Sequence, residues 1–262
     1  MREKNIVITG VNRGLGFYIA QNFLNEGHNL ILLSRTNNIK KELIQPIRKK
    51  QIIITKKLDL EKKKDIIKVK DIIKKKFKTI DLLINNAAIQ GPIGLFHKND
   101  FNLWEKTITI NFINTAFLIK NLIPILKKKS LVVNISGGGS TSSRKLFSAY
   151  SSSKTALVRL TENLAEEYKK DKIRFVAIAP GALNTRMYKN SSKIEKKMGN
   201  YKRVPFADMA KTFYLINLLS KDQTLRFSGK LISAQWDKWM NKKFLSNLKL
   251  DKNFLTLRRF IK

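Results

Sequence analysis

The chain has 262 residues, enough for one α/β domain with a full core, and contains no cysteine and only two histidines, His28 and His97. This excludes disulfides and thiolate metal sites and leaves too few ligands for most metal centres. A formal net charge of +34, from 53 basic and 19 acidic residues, ordinarily points to nucleic acid or an anionic membrane; here the lysines are scattered through nearly every expected helix, without a basic run interleaved with aromatics, which weighs against a specific nucleic-acid role.

The first expected element is a buried strand at residues 5–9, followed by Gly10-Val11-Asn12-Arg13-Gly14-Leu15-Gly16 and an amphipathic helix through Phe17, Ile19, Ala20, Phe23 and Leu24. Strand, glycine turn and helix form the context of a dinucleotide fingerprint. Gly10 would allow the tight turn, Gly14 close approach of backbone to a pyrophosphate, and Gly16 close packing of helix on strand, although the spacing differs from the common GxGxxG. A second strand at 29–33 ends in Ser34-Arg35, where an acid would grip the ribose of NAD. Ser34 and Arg35, with Arg13 as a second cation, instead favour a 2′-phosphate and hence NADP, with NAD as the alternative.

A third strand at 51–57 leads to Asp59 and Leu60, and the apolar positions of 61–78 predict an amphipathic helix with a solvated lysine face. A fourth strand at 80–84 ends in Asn85-Asn86-Ala87-Ala88, where a parallel sheet holds its ligand. A long helical pattern over 100–126 carries Asn111 near its middle, a residue that needs a partner there. Strand five at 131–135 delivers Ser136-Gly137-Gly138-Gly139-Ser140, and strand six at 173–179 delivers Pro180-Gly181-Ala182-Leu183-Asn184-Thr185.

Between them stands Tyr150-Ser151-Ser152-Ser153-Lys154, opening a helix whose apolar residues recur at three- and four-residue steps. Tyr150 and Lys154 share one face. An ammonium beside a phenol lowers the phenol's pKa, so the pair is expected to make Tyr150 a proton donor or acceptor near neutral pH.

TGVNRGLG (9–16), NNA (85–87), Asn111, NIS (134–136), YSSSK (150–154) and PGALNT (180–185) stand in the order and spacing of the short-chain dehydrogenase/reductase family, and the match spans roughly residues 5–235. The stretches SGGGSTSS, FSAYSSSK, GKLISAQWD (229–237) and TLRR (256–259) resemble a bacterial subgroup of it. The resemblance implies a single Rossmann domain over residues 1–262, with a doubly wound, mostly parallel seven-stranded sheet, helices on both faces, and a homotetramer. It implies that Tyr150 is the general acid/base, that Lys154 holds the nicotinamide ribose and depresses the Tyr150 pKa, and that Asn111 holds a water linking Lys154 to solvent. Asp59 would meet the adenine edge, Asn86, Ala87 and Ala88 the adenosine ribose, and Thr185 the carboxamide. Two departures stand out: Ala88 replaces a usual glycine, and Gly137 stands where the catalytic serine most often falls, leaving Ser136, or Ser140 or Thr141 beyond the glycines, to polarise a carbonyl, with Ser136 favoured.

Residues 186–203 read as a polar, poorly periodic substrate lid, and 236–262 as an extension whose aromatics pack at a subunit interface or in the core. The early apolar run at Ile6 leaves no room for a signal-peptide core, and Lys120 and Pro124 interrupt the longest apolar stretch, so a cytoplasmic protein without a membrane span is expected. The expected function is interconversion of a secondary alcohol and a ketone on a small molecule, sugar-derived or acyl-type. The alternatives are a cofactor-binding scaffold or redox sensor without catalysis, and a basic nucleic-acid binder.

Overall fold

The computed structural model describes residues 3–36 and 38–258. Seven strands, β1 (Asn5–Thr9), β2 (Asn29–Ser34), β3 (Ile53–Lys57), β4 (Ile80–Asn85), β5 (Leu126–Ile135), β6 (Arg174–Ala179) and β7 (Lys230–Ser233), form one sheet in the order β3-β2-β1-β4-β5-β6-β7. Every neighbouring pair is parallel. The helices are α1 (Gly14–Asn25), α2 (Lys63–Phe77), α3 (Phe101–Ile108), α4 (Asn114–Leu122), α5 (Ser148–Glu167), α6 (Arg186–Lys197), α7 (Met209–Lys221) and α8 (Lys242–Leu250).

Side chains alternate across each strand, so one strand feeds two cores. Ile6, Ile8, Leu30, Leu32 and Val133 pack with Ile19 and Phe23 of α1 and Phe213 and Ile216 of α7. Val7, Ile31, Leu33, Leu83 and Val132 pack on the other face with Ile66 and Ile73 of α2 and Leu118 and Leu122 of α4. Each such buried side chain contributes roughly 1.5–3 kcal/mol. Strand order reverses at β1 and β4, opening a crevice beyond their carboxyl ends, which is where doubly wound sheets bind ligands.

Two expectations need correction, the start of β5 and the irregularity of residues 186–197. β5 begins at Leu126, five residues early, because Leu126 pairs with Ile80 across a register shift and the Ser130 hydroxyl donates to the Ile80 carbonyl at 2.6 Å; its exposed lysines read as loop in the sequence. The helical pattern over 100–126 is met by one continuous helical run, Phe101–Ile125, which carries a π turn at Thr109–Ile113 and ends in a tight turn at Ile123–Ile125 containing Pro124. Taken together, Phe101–Ile125 is long and apolar enough to cross a membrane by length and composition, but Leu118, Ile119 and Leu122 are buried in the core against the sheet. Residues 186–197, read as poorly periodic, form the regular helix α6, because Thr185 caps its first turn and the Ser191 and Ser192 hydroxyls bond back to the Tyr188 carbonyl.

Core packing accounts for most of the C-terminal extension. Trp239, Phe244, Leu245, Phe254 and Leu255 pack on the core around α1 and α7, with Phe244 and Phe254 edge to face at 5.2 Å. The Leu231 amide of β7 donates to the Leu255 carbonyl at 2.9 Å, so the chain covers part of its own sheet edge. Trp236 is 73% exposed. Arg259 and the rest of 259–262 lie outside the described residues.

Candidate active site

The crevice is a cavity of about 1740 Å³ whose walls are the loops after β1, β2, β3, β4, β5 and β6. Every residue singled out from the sequence lines it except Asn111.

At one end, the turn from β1 into α1 needs positive φ at Gly10 and Gly14 (+73° and +59°), and a Cβ on Gly10 would meet the Ala87 Cα at 2.9 Å. Gly16 packs against the turn itself, since a Cβ there would lie 2.3 Å from both the Gly10 carbonyl and Asn86 Nδ2. Arg13, the residue before α1, makes no side-chain cap, so among the described residues the first amides of the helix have no side-chain partner, while Leu15 packs in the core. Uncapped N-terminal amides with a positive macrodipole end suit a phosphate, so these residues fit a dinucleotide.

Thr9 and Asn86 lock this turn to the end of β4. The Thr9 hydroxyl accepts from the Asn86 and Ala87 amides, both at 3.0 Å, and Asn86 Nδ2 donates to the Thr9 and Gly10 carbonyls at 3.0 and 3.1 Å. Ala88 follows on the cavity wall. Asn111 finds the partners its mid-helix position demands: its Oδ1 accepts from the Ile89 amide at 2.9 Å, and its Nδ2 donates to the Ile89 carbonyl at 2.8 Å and to Ser153 Oγ at 3.1 Å. Its side chain is thus committed to holding the loop after β4 against α5.

Along the second strand, Ser34 lines the cavity with its hydroxyl bonded to the Thr36 carbonyl, and Arg35 and Arg13 are the exposed cations there. Asn12 Nδ2 donates to Thr36 Oγ1 at 2.8 Å. Asp59 Oδ1 accepts from the Glu61 amide at 3.1 Å, and the Leu60 carbonyl accepts from Asn114 Nδ2 at 2.6 Å. Across the cavity, Pro180 and Gly181 (φ +80°) turn the chain, and the Thr185 hydroxyl accepts from the Tyr188 amide at 3.3 Å as the cap of α6.

Tyr150 and Lys154 meet the cavity from α5, but not as the sequence reading had them. Lys154 Nζ is buried, donates to the Ile135 carbonyl at 2.8 Å and lies 5.7 Å from the centroid of the Tyr150 ring. Burial lowers its pKa to about 8. The Tyr150 phenol is pushed up by burial rather than lowered by Lys154, and the cation that pulls it the other way is Arg144. The lysine is spent on a backbone carbonyl under the ring, and desolvation outweighs attraction.

The Tyr150 hydroxyl lies over Gly137, where a Cβ would be 2.4 Å from Oη. Ser136 stays in the sheet, its amide donating to the Ile178 carbonyl at 2.8 Å, and the chain breaks only afterwards, where the Ser140 amide bonds the Gly137 carbonyl at 3.3 Å. Ser136 lines the cavity, and its buried Oγ has no hydrogen-bond partner among the described residues.

Thr9, Ser153 and Arg144 were not singled out from the sequence. Thr9 and Ser153 sit inside motifs that were read for their neighbours; Arg144 is one cation among 53 and carries no local signal except its place six residues before Tyr150.

A family model described as short chain dehydrogenase matches residues 4–196. The mouse protein dehydrogenase/reductase SDR family member 4 is 30% identical over 190 residues, 71% of this chain and 68% of that protein. Among solved structures, levodione reductase superposes with a TM-score of 0.80 at 23% identity over 89% of this chain and 97% of its own. A Shigella flexneri short chain dehydrogenase complexed with NADP superposes at 0.77, also at 23% identity, over 89% and 98%. At these identities the structural likeness speaks for the fold.

Proposed function

This chain belongs to the short-chain dehydrogenase family and is an oxidoreductase of the NAD(P)-dependent kind, and within that family we propose that it interconverts a secondary alcohol and a ketone with NADP(H), Tyr150 handling the proton. The observation that carries this reading is the position of Tyr150 Oη, over side-chain-free Gly137 in the dinucleotide cavity with Lys154 beneath its ring. When bound, a nicotinamide cofactor supplies or accepts the hydride.

The chain's own residues divide the remaining work. The α1 amides and the Gly10 to Gly16 turn hold phosphates; Asp59, Leu60 and the segment from Asn86 to Ala88 border the adenosine, and Pro180, Gly181 and Thr185 the nicotinamide end. Arg35 and Arg13 supply the preference for a 2′-phosphate, in line with the NADP held by the Shigella relative. Tyr150, kept as a phenol by burial, donates its proton to the carbonyl oxygen as reduction proceeds and accepts it in reverse. Ser136 Oγ, buried and without a hydrogen-bond partner among the described residues, stabilises the charge growing on that oxygen. Asn111 holds α5 in place through Ser153. Residues 186–203 form the substrate lid of a single domain, and the substrate is a small molecule, sugar-derived or acyl-type.

A cytoplasmic homotetramer completes the proposal, following the family's habit of assembling. The +34 charge on each subunit makes association salt-dependent, and light scattering that finds a monomer at every ionic strength would contradict it. The activity itself is tested by incubating the protein with NADPH and a ketone panel and following absorbance loss alongside alcohol formed. One alcohol per NADPH consumed supports the reading, and NADPH loss without alcohol refutes it.

A further inference from the structure

Arg144 has no part in the chemistry so far, yet it is held in one orientation at the catalytic end of the cavity. Its guanidinium lies 3.5 Å above the centroid of the Phe147 ring, and Phe147 is fully buried, so the stacked plane has a rigid floor. A Cβ on Gly138 would sit 3.7 Å from Arg144 Nη1, and a Cβ on the preceding Gly137 would sit 2.4 Å from Tyr150 Oη. Guanidinium and phenol thus look onto adjacent residues of the same glycine run.

The other edge of the guanidinium meets Glu195 of α6, with Nη2 3.5 Å from both carboxylate oxygens. Charge-assisted pairs of this type ordinarily close to about 2.7–2.9 Å. The pair is therefore slack, and a carboxylate already stands in front of a planar cation with its two oxygens equidistant. Lys145, Arg186 and Lys202 line the cavity as well, and its walls carry seven cations against the three acids Asp59, Glu195 and Asp237, so an incoming anion meets net positive charge.

From this geometry we infer that Arg144 is the specificity residue of the site, binding a carboxylate on the substrate, so that the preferred substrates are oxo acids and the matching hydroxy acids. The inference rests on the reading of Tyr150 as proton donor, since it places the acid group relative to the carbonyl that Tyr150 serves. Glu195 stands in for the substrate carboxylate in the ligand-free protein. A guanidinium fork donates to two carboxylate oxygens side by side, which a lysine cannot reproduce.

The test compares unbranched oxo acids of graded length with their methyl esters, by kcat/KM and by calorimetric binding in the presence of NADP+. Wild type is expected to favour acid over ester by at least about tenfold in both readouts, the usual worth of a charge-assisted pair. In Arg144→Gln that ratio should fall close to one, Arg144→Lys should restore part of it, and Glu195→Gln should tighten acid binding by removing the internal competitor. Equal affinity of acids and esters for wild type, or no measurable binding of any acid, overturns the inference. So does an Arg144→Gln protein that weakens acids and esters alike, which would make the Arg144 and Glu195 contact a latch for α6 only. Arg144-dependent binding of acids without turnover of acid or ester would leave the anion site standing and refute the oxidoreductase chemistry assigned to Tyr150.

Discussion

Tyr150 and Gly137 occupy one space: a Cβ on residue 137 would lie 2.4 Å from the Tyr150 hydroxyl oxygen. The family habit of placing a serine thirteen residues before the tyrosine is closed to this chain while the phenol stays where it is. Gly137 is not among the glycines with positive φ, so a side chain there strains no backbone and its effect reports on Tyr150. Gly137→Ala is predicted to lower turnover at least tenfold, and as much as about 100-fold for a displacement near 1 Å, with little change in Tm. Steady-state kinetics with a thermal melt check it, and full turnover in the variant would place the working hydroxyl elsewhere.

Ser136→Ala separates chemistry from stability. Removing an oxyanion donor commonly costs about 100-fold in turnover, whereas the Ser136 hydroxyl has no hydrogen bond to lose, so the melting temperature should hold or rise slightly. A large loss confined to Ser140→Ala would move the role to the loop. No loss in either would leave polarisation to other groups.

Much of the frame was legible in the residues because it rests on local rules. Apolar runs gave the strands, glycines at Gly10 and Gly14 sit where φ is positive, and Asn111 found the partners that a buried amide in a helix requires. What was not legible depends on distant geometry. The pattern of Tyr150 and Lys154 says they share a face, but not that the Ile135 carbonyl claims the ammonium and that burial then raises the phenol. Likewise, nothing local in the sequence announces that the Ser34 hydroxyl bonds the Thr36 carbonyl. Arg144 could not be told from its many basic neighbours without the Phe147 ring beneath it.

Burial sets the direction of the pH response. With its pKa raised above the ordinary value near 10, Tyr150 stays protonated through neutrality, so ketone reduction should be level there and fall only in alkali. Alcohol oxidation needs the phenolate and should climb as pH rises toward the raised Tyr150 pKa, which lies above the range where Lys154, lowered to about 8, gives up its proton. Profiles of kcat/KM in both directions decide it; an oxidation rate that is flat from roughly pH 6 to 10 contradicts the assignment.

Cofactor choice is proposed to rest on Arg35 and Arg13, the exposed cations beside Ser34. Wild type should bind NADPH at least tenfold more tightly than NADH, the equivalent of roughly 1.5–3 kcal/mol for a charge-assisted phosphate contact. Arg35→Asp should erase or invert that preference. Equal affinities in wild type, measured by fluorescence titration, would remove the 2′-phosphate from the account.

The most direct measurement is Tyr150→Phe, read twice. The substitution deletes one hydroxyl and leaves the α1 amides, the glycine turn and Lys154 untouched, so NADPH should bind with nearly the wild-type Kd. Turnover of the same ketone should fall by about 100-fold or more, the usual worth of a positioned general acid. Wild-type turnover in the Phe variant, with NADPH binding intact, would take the proton away from Tyr150 and contradict the mechanism.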